Sequence, residues 1–145
     1  MTLDPFSSEK IVDGKIVLTP LEVIASTVLD DDPTEIESDV IIVPDGDAEL
    51  VFLLSAVATL SPTNVIWSWS ISYDGTNFFD YDGLDADDWA DITVLEAAMP
   101  DARAVIKGRI VAPYCKVKAT GTGTDASNTV TVSASVTRKP ATLDA

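Results

Sequence analysis

The sequence predicts an all-β protein: an antiparallel β-sandwich of immunoglobulin-like or jelly-roll topology, with at most one short helix. Three observations predict it. Apolar residues recur at every second position in most patterned segments, the period of a strand that buries one face. Asp-Gly, Pro-Asp-Gly and Ser-Pro sequences punctuate those segments, and each favours a turn. The segments are short and number about eight to ten, as expected of two packed sheets.

In chain order, residues 1–9 have little pattern and read as a flexible arm, with residues 10–145 forming one sandwich domain. Ile11 to Leu18 reads as a hairpin turning at Asp13-Gly14, because Asp-Gly suits the left-handed backbone of a two-residue turn. Leu21 to Leu29 is the next strand. Asp30 to Glu37 reads as an acidic loop, where Pro33 and like-charge repulsion oppose regular structure. Val40 to Val43 stops at Pro44-Asp45-Gly46-Asp47, and Glu49 to Leu60 supplies a long strand ending at Ser61-Pro62. From Leu50 to Leu54 both faces of that strand are apolar, which suits the middle of a sandwich or a face against a partner.

Val65 to Tyr73 is the clearest strand: Val65, Trp67, Trp69, Ile71 and Tyr73 share one face, and serines take the other. Asp74-Gly75 then predicts a tight turn into Thr76 to Tyr81. Asp82 to Asp91 reads as an acidic loop holding Trp89. Ile92 to Met99 fits either a strand or one to two helical turns capped by Asp91 and stopped by Pro100. The last strands are Ala104 to Val111, Tyr114 to Thr120 and Thr129 to Thr137, with a flexible hairpin loop from Gly121 to Asn128.

Composition narrows the chemistry. The 145 residues include no histidine and one cysteine, Cys115, so the Ser-His and Cys-His pairs, disulfides and zinc sets have no residues to build on. An enzyme is not expected. A net charge of −15 repels phosphate and anionic lipid, so neither nucleic acid nor membrane is an expected partner. No apolar run approaches the ~20 residues that span a bilayer, and Met1 to Pro5 carries no secretory n-region, so synthesis in a cytosol is expected. The charge is uneven: residues 1–101 hold 22 acidic and 2 basic side chains, residues 102–145 hold 2 and 7. Strands from the two halves that interleave in one domain would attract each other; a head-to-tail contact between subunits would use the same asymmetry.

Among candidate sites, the cluster beginning Asp80, Asp82 and Asp85 has the oxygen ligands that calcium takes, although its spacing is not that of an EF-hand. The bland alternative is a solvated acidic loop, and no other cofactor is expected. Trp89, Phe78 and Phe79, in loops, suit stacking on sugar rings. Trp67 and Trp69 alternate with serine and belong in the core. Cys115 shares a face with Val117 and Ala119 and reads as a small core residue. Lys107, Arg109, Lys116 and Lys118 face outward on successive strands, as a basic stripe or as partners for the acidic loops.

The run Trp67-Ser-Trp-Ser-Ile-Ser-Tyr-Asp-Gly-Thr-Asn-Phe78, followed by Ala112-Pro-Tyr-Cys-Lys-Val-Lys-Ala-Thr-Gly-Thr-Gly-Thr124 and a Val/Ser/Thr strand, resembles small β-sandwich virion proteins of tailed bacteriophages, capsid decoration proteins among them. The resemblance covers residues 64–137 and lies in a style of strand and turn. It implies a non-catalytic protein, made in the host cytoplasm, that adds to an assembling virion. Its implied partners are the major capsid protein or another virion protein, and further copies of itself in trimers or similar clusters. Interface residues expected on this basis are Leu3 and Phe6 of the arm and Leu50, Phe52 and Leu54 of the apolar strand. The Ser-x-Asp-Gly-Thr-Asn-Phe phrase is also similar to sugar-binding sandwiches, so a carbohydrate- or calcium-binding adhesion module is the alternative.

Overall fold

A computed structural model of the chain describes residues 2–3, 10–12, 15–17, 20–30, 34–58, 63–81, 94–97, 102–122, 124 and 126–138. Its strands are β1 (Thr2–Leu3), β2 (Lys10–Val12), β3 (Lys15–Val17), β4 (Leu21–Leu29), β5 (Thr34–Glu37), β6 (Val40–Ile42) and β7 (Ala48–Ala58). After these come β8 (Thr63–Ser72), β9 (Phe79–Asp80), β10 (Val94–Ala97), β11 (Ala102–Ile110), β12 (Tyr114–Thr122) and β13 (Val130–Arg138). The only helical turn among the described residues is a 3-10 turn at Pro44–Gly46, where Asp45 and Gly46 adopt positive φ.

Two sheets carry the fold. One runs β1-β6-β12-β8-β10, with β5 also against β12 and β9 also against β8; the other runs β11-β7-β13-β4. β5 and β6 act as one broken strand along β12. At the break the Ser38 N–H donates to the Val117 carbonyl and its hydroxyl accepts from the Val117 N–H, so the ladder continues through the kink. The nested pairing then decides the topology: β4 lies against β13, β5–β6 against β12, β7 against β11 and β8 against β10. Counted from β4, first strand with last, second with second-to-last and so inward is an antiparallel ribbon rolled into a sandwich, which is the jelly roll. An immunoglobulin sandwich would instead put the last strand in the sheet of its predecessor. Here β13 lies in the four-stranded sheet and β12 in the other.

The inward faces make one core. Phe52 of β7 meets Trp69 of β8 edge-on, with ring centroids 5.5 Å apart, so this pair joins the two sheets directly. Around it lie Trp67, Leu50, Ile106, Val117 and Val132, all fully buried; burying a side chain of that size stabilises by about 1.5–3 kcal/mol. Along β13, buried and half-buried residues alternate from Val130 to Thr137. β4 does not alternate: its register against β13 slips twice, and Val23 and Ile24 both turn inward. Two extra residues on that strand form bulges, which curve an edge strand around the core.

Several expectations are corrected. Leu50, Phe52 and Leu54 are not at a surface; they point into this chain's own core, and Val51 and Leu53 take the outward face. Thr34–Glu37 is a strand rather than a loop. Its repelling carboxylates find cations across the ladder, Lys116 with Glu37 at 3.0 Å and Lys118 with Glu35 at 3.9 Å. Tyr73, placed on the core face by alternation, lies beyond the end of β8 and is exposed. Gly121 belongs to β12 rather than to the loop after it; of the two readings left open for Ile92 to Met99, Val94–Ala97 takes the strand. Thr2 and Leu3 of the expected arm pair in parallel with Val40 and Ile41; Phe6, Asp82, Asp85 and Trp89 lie outside the described residues. β2 and β3 pair antiparallel with Val12 opposite Lys15, the register that a turn at Asp13-Gly14 predicts.

Candidate functional site

The end of β8 builds the most structured loop of the chain. Ser72 is buried; its hydroxyl accepts from the Asp74 and Gly75 N–H groups and donates to Asp74 Oδ1. Asp74 Oδ1 also accepts the Thr76 and Asn77 N–H groups, both at 2.8 Å, and Oδ2 accepts the Asn77 side-chain amide at 2.7 Å. A short carboxylate caps several backbone donors at once here, which is why Asp recurs in such turns. The backbone donors of Asn77 and Thr76, then the Asn77 and Ser72 side chains, hold the Asp74 carboxyl well below the usual carboxylate range. Gly75 adopts a positive φ of 79° and passes against the Tyr114 ring.

This loop forms one wall of a cleft of about 500 Å³ lined by Tyr73, Asp74, Thr76, Asn77, Phe78 and Phe79. Tyr73 is 67% exposed and Phe79 63%, yet the Tyr73 ring is not loose: its hydroxyl donates to the Val111 carbonyl at 3.2 Å. Phe78 is half-buried, with the Lys116 ammonium 4.4 Å from its ring centre. That ammonium also donates to Glu37 Oε1. Phe78 and Phe79 were legible from sequence as candidate stacking residues. Tyr73 was not, because its place in the alternation pointed inward; the Ser-x-Asp-x-x-Asn spacing that stops the strand before it was the available signal.

A second cleft, of about 330 Å³, lies between β4 and the β5–β6 strand, with Glu22, Glu37 and Asp39 on its wall. Glu37 is engaged by Lys116. Among the described residues no group of three or more acidic, histidine or cysteine side chains is arranged to hold a metal ion. Asp80, the one described member of the expected calcium cluster, is exposed at the end of β9. Cys115 is fully buried in the centre of its sheet, and burial pushes its thiol up to about 12. A thiol so placed is inert.

The basic side chains do not form a stripe, since β11 and β12 belong to different sheets. Arg109, Lys116 and Lys118 pair within the chain instead. Arg109 forks onto Asp47, its Nε donating to Oδ1 at 2.6 Å, which raises the guanidinium and lowers the carboxyl. All three described ion pairs join an acid from residues 1–101 to a base from residues 102–145, so the charge asymmetry acts between interleaved strands.

The outer surfaces of the two sheets differ. On β12 and β5 the outward side chains include the paired lysines and glutamates. On the four-stranded sheet, Val28, Thr131 and Val57 form one row across β4, β13 and β7. Next to it Ser133 and Ser55 face each other, their hydroxyl oxygens 2.6 Å apart. A further row is Ser135, Leu53 and Val105. The uncharged surface spans β13 and β7; charge lies on the strands beside them, with Glu22 on β4 and Arg103 of β11 in register with Ser55, and toward one end, with Lys107, Arg109 and Glu49. No protein-family model, no curated protein and no solved structure matches the chain.

Proposed function

We propose that this chain is a non-enzymatic structural protein of a tailed-bacteriophage virion, which attaches to the capsid lattice or a neighbouring virion protein through the outer face of its four-stranded sheet. The observation that carries this reading is the uncharged patch on that face. A chain of net charge −15 repels its own copies and acidic neighbours, and an interface core is where charged residues are depleted. The jelly roll, a fold of viral capsid and lectin domains, supports the same reading.

Size sets how the face works. Four strands about 4.8 Å apart and some nine residues long cover on the order of 600 Å². That is below the ~800 Å² per partner of a stable stand-alone complex. Single contacts on it are weak, and attachment gains strength from clustered copies held at high effective concentration. Mass spectrometry of purified virions of the phage that encodes the chain is the test. The wild-type chain is expected in many copies per particle, and Leu53→Lys with Val57→Lys is expected to fold yet fall out of the particles. Virions that lack the wild-type chain, or that carry the double variant at the wild-type level, overturn the proposal.

A further inference from the structure

We infer that the cleft between Tyr73 and Phe79 binds a neutral saccharide. The inference does not depend on the virion reading, because the cleft belongs to the end of β8 and β9 in one sheet and the uncharged face to the other. A particle docked through the four-stranded sheet would leave the cleft free.

Three features converge on that ligand class. The first is aromatic surface left in water. This chain buries Trp67, Trp69 and Phe52 where packing is available, whereas Tyr73 and Phe79 line one concavity and stay mostly exposed. Exposed rings grouped in a cleft mark a surface that something else covers.

The second is rigidity without a ligand. Tyr73 is tied to Val111, the loop beside it is closed by the donors gathered on Asp74, and Phe78 is held under Lys116. A site already ordered does not spend binding free energy on ordering.

The third is the absence of free charge among the lining groups described. The Asp74 carboxylate is engaged at both oxygens by its own loop, and the Lys116 ammonium beside the cleft is taken by Glu37 and the Phe78 ring. Neither calls for a counter-ion. The remaining polar groups are the Thr76 hydroxyl and the Asn77 side-chain carbonyl, whose amide nitrogen already donates to Asp74; both exchange hydrogen bonds with hydroxyls. Aromatic faces bordered by a hydroxyl and an amide match a pyranose, which is apolar on its ring faces and polar around its rim. A nucleotide would match the rings but carry phosphate into a strongly negative field. A volume of about 500 Å³ is in the range of small-ligand pockets, so a mono- or disaccharide fits. One side is open to water, so affinity in the millimolar range is expected.

The test is an NMR titration of the full chain with maltose, cellobiose, lactose and diacetylchitobiose, and with sialyllactose as the charged comparison. At least one neutral sugar is expected to move the amides of Tyr73, Thr76, Asn77 and Phe79. Tyr73→Ala and Phe79→Ala are each expected to weaken that binding by about tenfold or more, ~1.4 kcal/mol, while retaining the wild-type circular dichroism spectrum. Thr76→Val, which keeps the shape and loses the hydroxyl, is expected to weaken it less. The inference is overturned if no neutral sugar perturbs those amides up to its solubility limit, if the ring variants bind as the wild type does, or if only sialyllactose binds.

Discussion

Replacing Phe52 by alanine measures whether the two sheets are held together where the structure joins them. Phe52 is 1% exposed and its ring meets Trp69 across the sandwich, so truncation opens a cavity between sheets that no neighbouring chain can fill. Phe-to-Ala changes in cores cost about 3–5 kcal/mol, including ~0.5–1.5 kcal/mol for a lost edge-on aromatic pair. Taking about 4 kcal/mol against a total stability of ~5–15 kcal/mol, and a urea dependence of about 2 kcal/mol/M, the unfolding midpoint falls by about 2 M. Tryptophan fluorescence reads this directly, since Trp69 is the partner. If the alanine variant does not fold, Phe52→Leu, expected to cost about 1–1.5 kcal/mol, gives the same sign. Leu53→Ala, one residue along and outward-facing, is expected to cost less than about 1 kcal/mol. The reasoning is refuted if Leu53→Ala destabilises more than Phe52→Ala, for then the strand is turned over and Leu50, Phe52 and Leu54 face outward after all.

Three further outcomes are expected. Raising the Cys115 thiol from 9.0 to about 12 lowers its thiolate fraction about a thousandfold near neutral pH, so alkylation of the folded protein at pH 8 is at least that much slower than in urea; rates within tenfold would show the centre of β12 to be accessible. Asp74 is held below its ordinary value of 3.8, so the order it gives the loop is fully present above that pH and lost as pH falls through its lower, folded value. Protection factors of the Thr76 and Asn77 amides, taken against the intrinsic exchange rate at each pH, should therefore hold steady from pH 7 to pH 4 and fall only below, whereas Asp74→Ala should lower them at every pH and Asp74→Asn by less. A Cβ on Gly121 would come within 3.1 Å of Leu29 Cδ1 and Thr124 Oγ1, so Gly121→Ala should cost about 1 kcal/mol and Gly121→Val about 3 kcal/mol by urea denaturation. A stabilised alanine variant would show that those neighbours give way freely.

Much of the fold was legible because a strand with one buried face writes its period into the chain. β13, β8 from Val65 to Ile71, and the apolar side of β12 around Cys115 stand where alternation put them. Alternation failed where its premise failed. At Leu50 to Leu54 both faces are apolar, so periodicity could not say which face turned inward. In β4 the bulges break the period, and at Tyr73 the strand stops one residue before the pattern does. The acidic stretch at Thr34–Glu37 looked hostile to a strand because only its own charges were visible; Lys116 and Lys118, some eighty positions away, make it compatible.

The sequence by itself determined the fold class, the inward row of β13, the buried thiol and a surface dominated by acid, because each depends on neighbours along the chain or on composition. Only the tertiary structure decided that the sandwich is a jelly roll, that Phe52 faces Trp69, that β13 and β7 together present an uncharged surface, and that Tyr73 and Phe79 share a cleft with Asp74 held by its own loop. Those outcomes depend on which strand lies beside which. Pairing between distant segments is set by the free energy of the whole core, and no local period carries it.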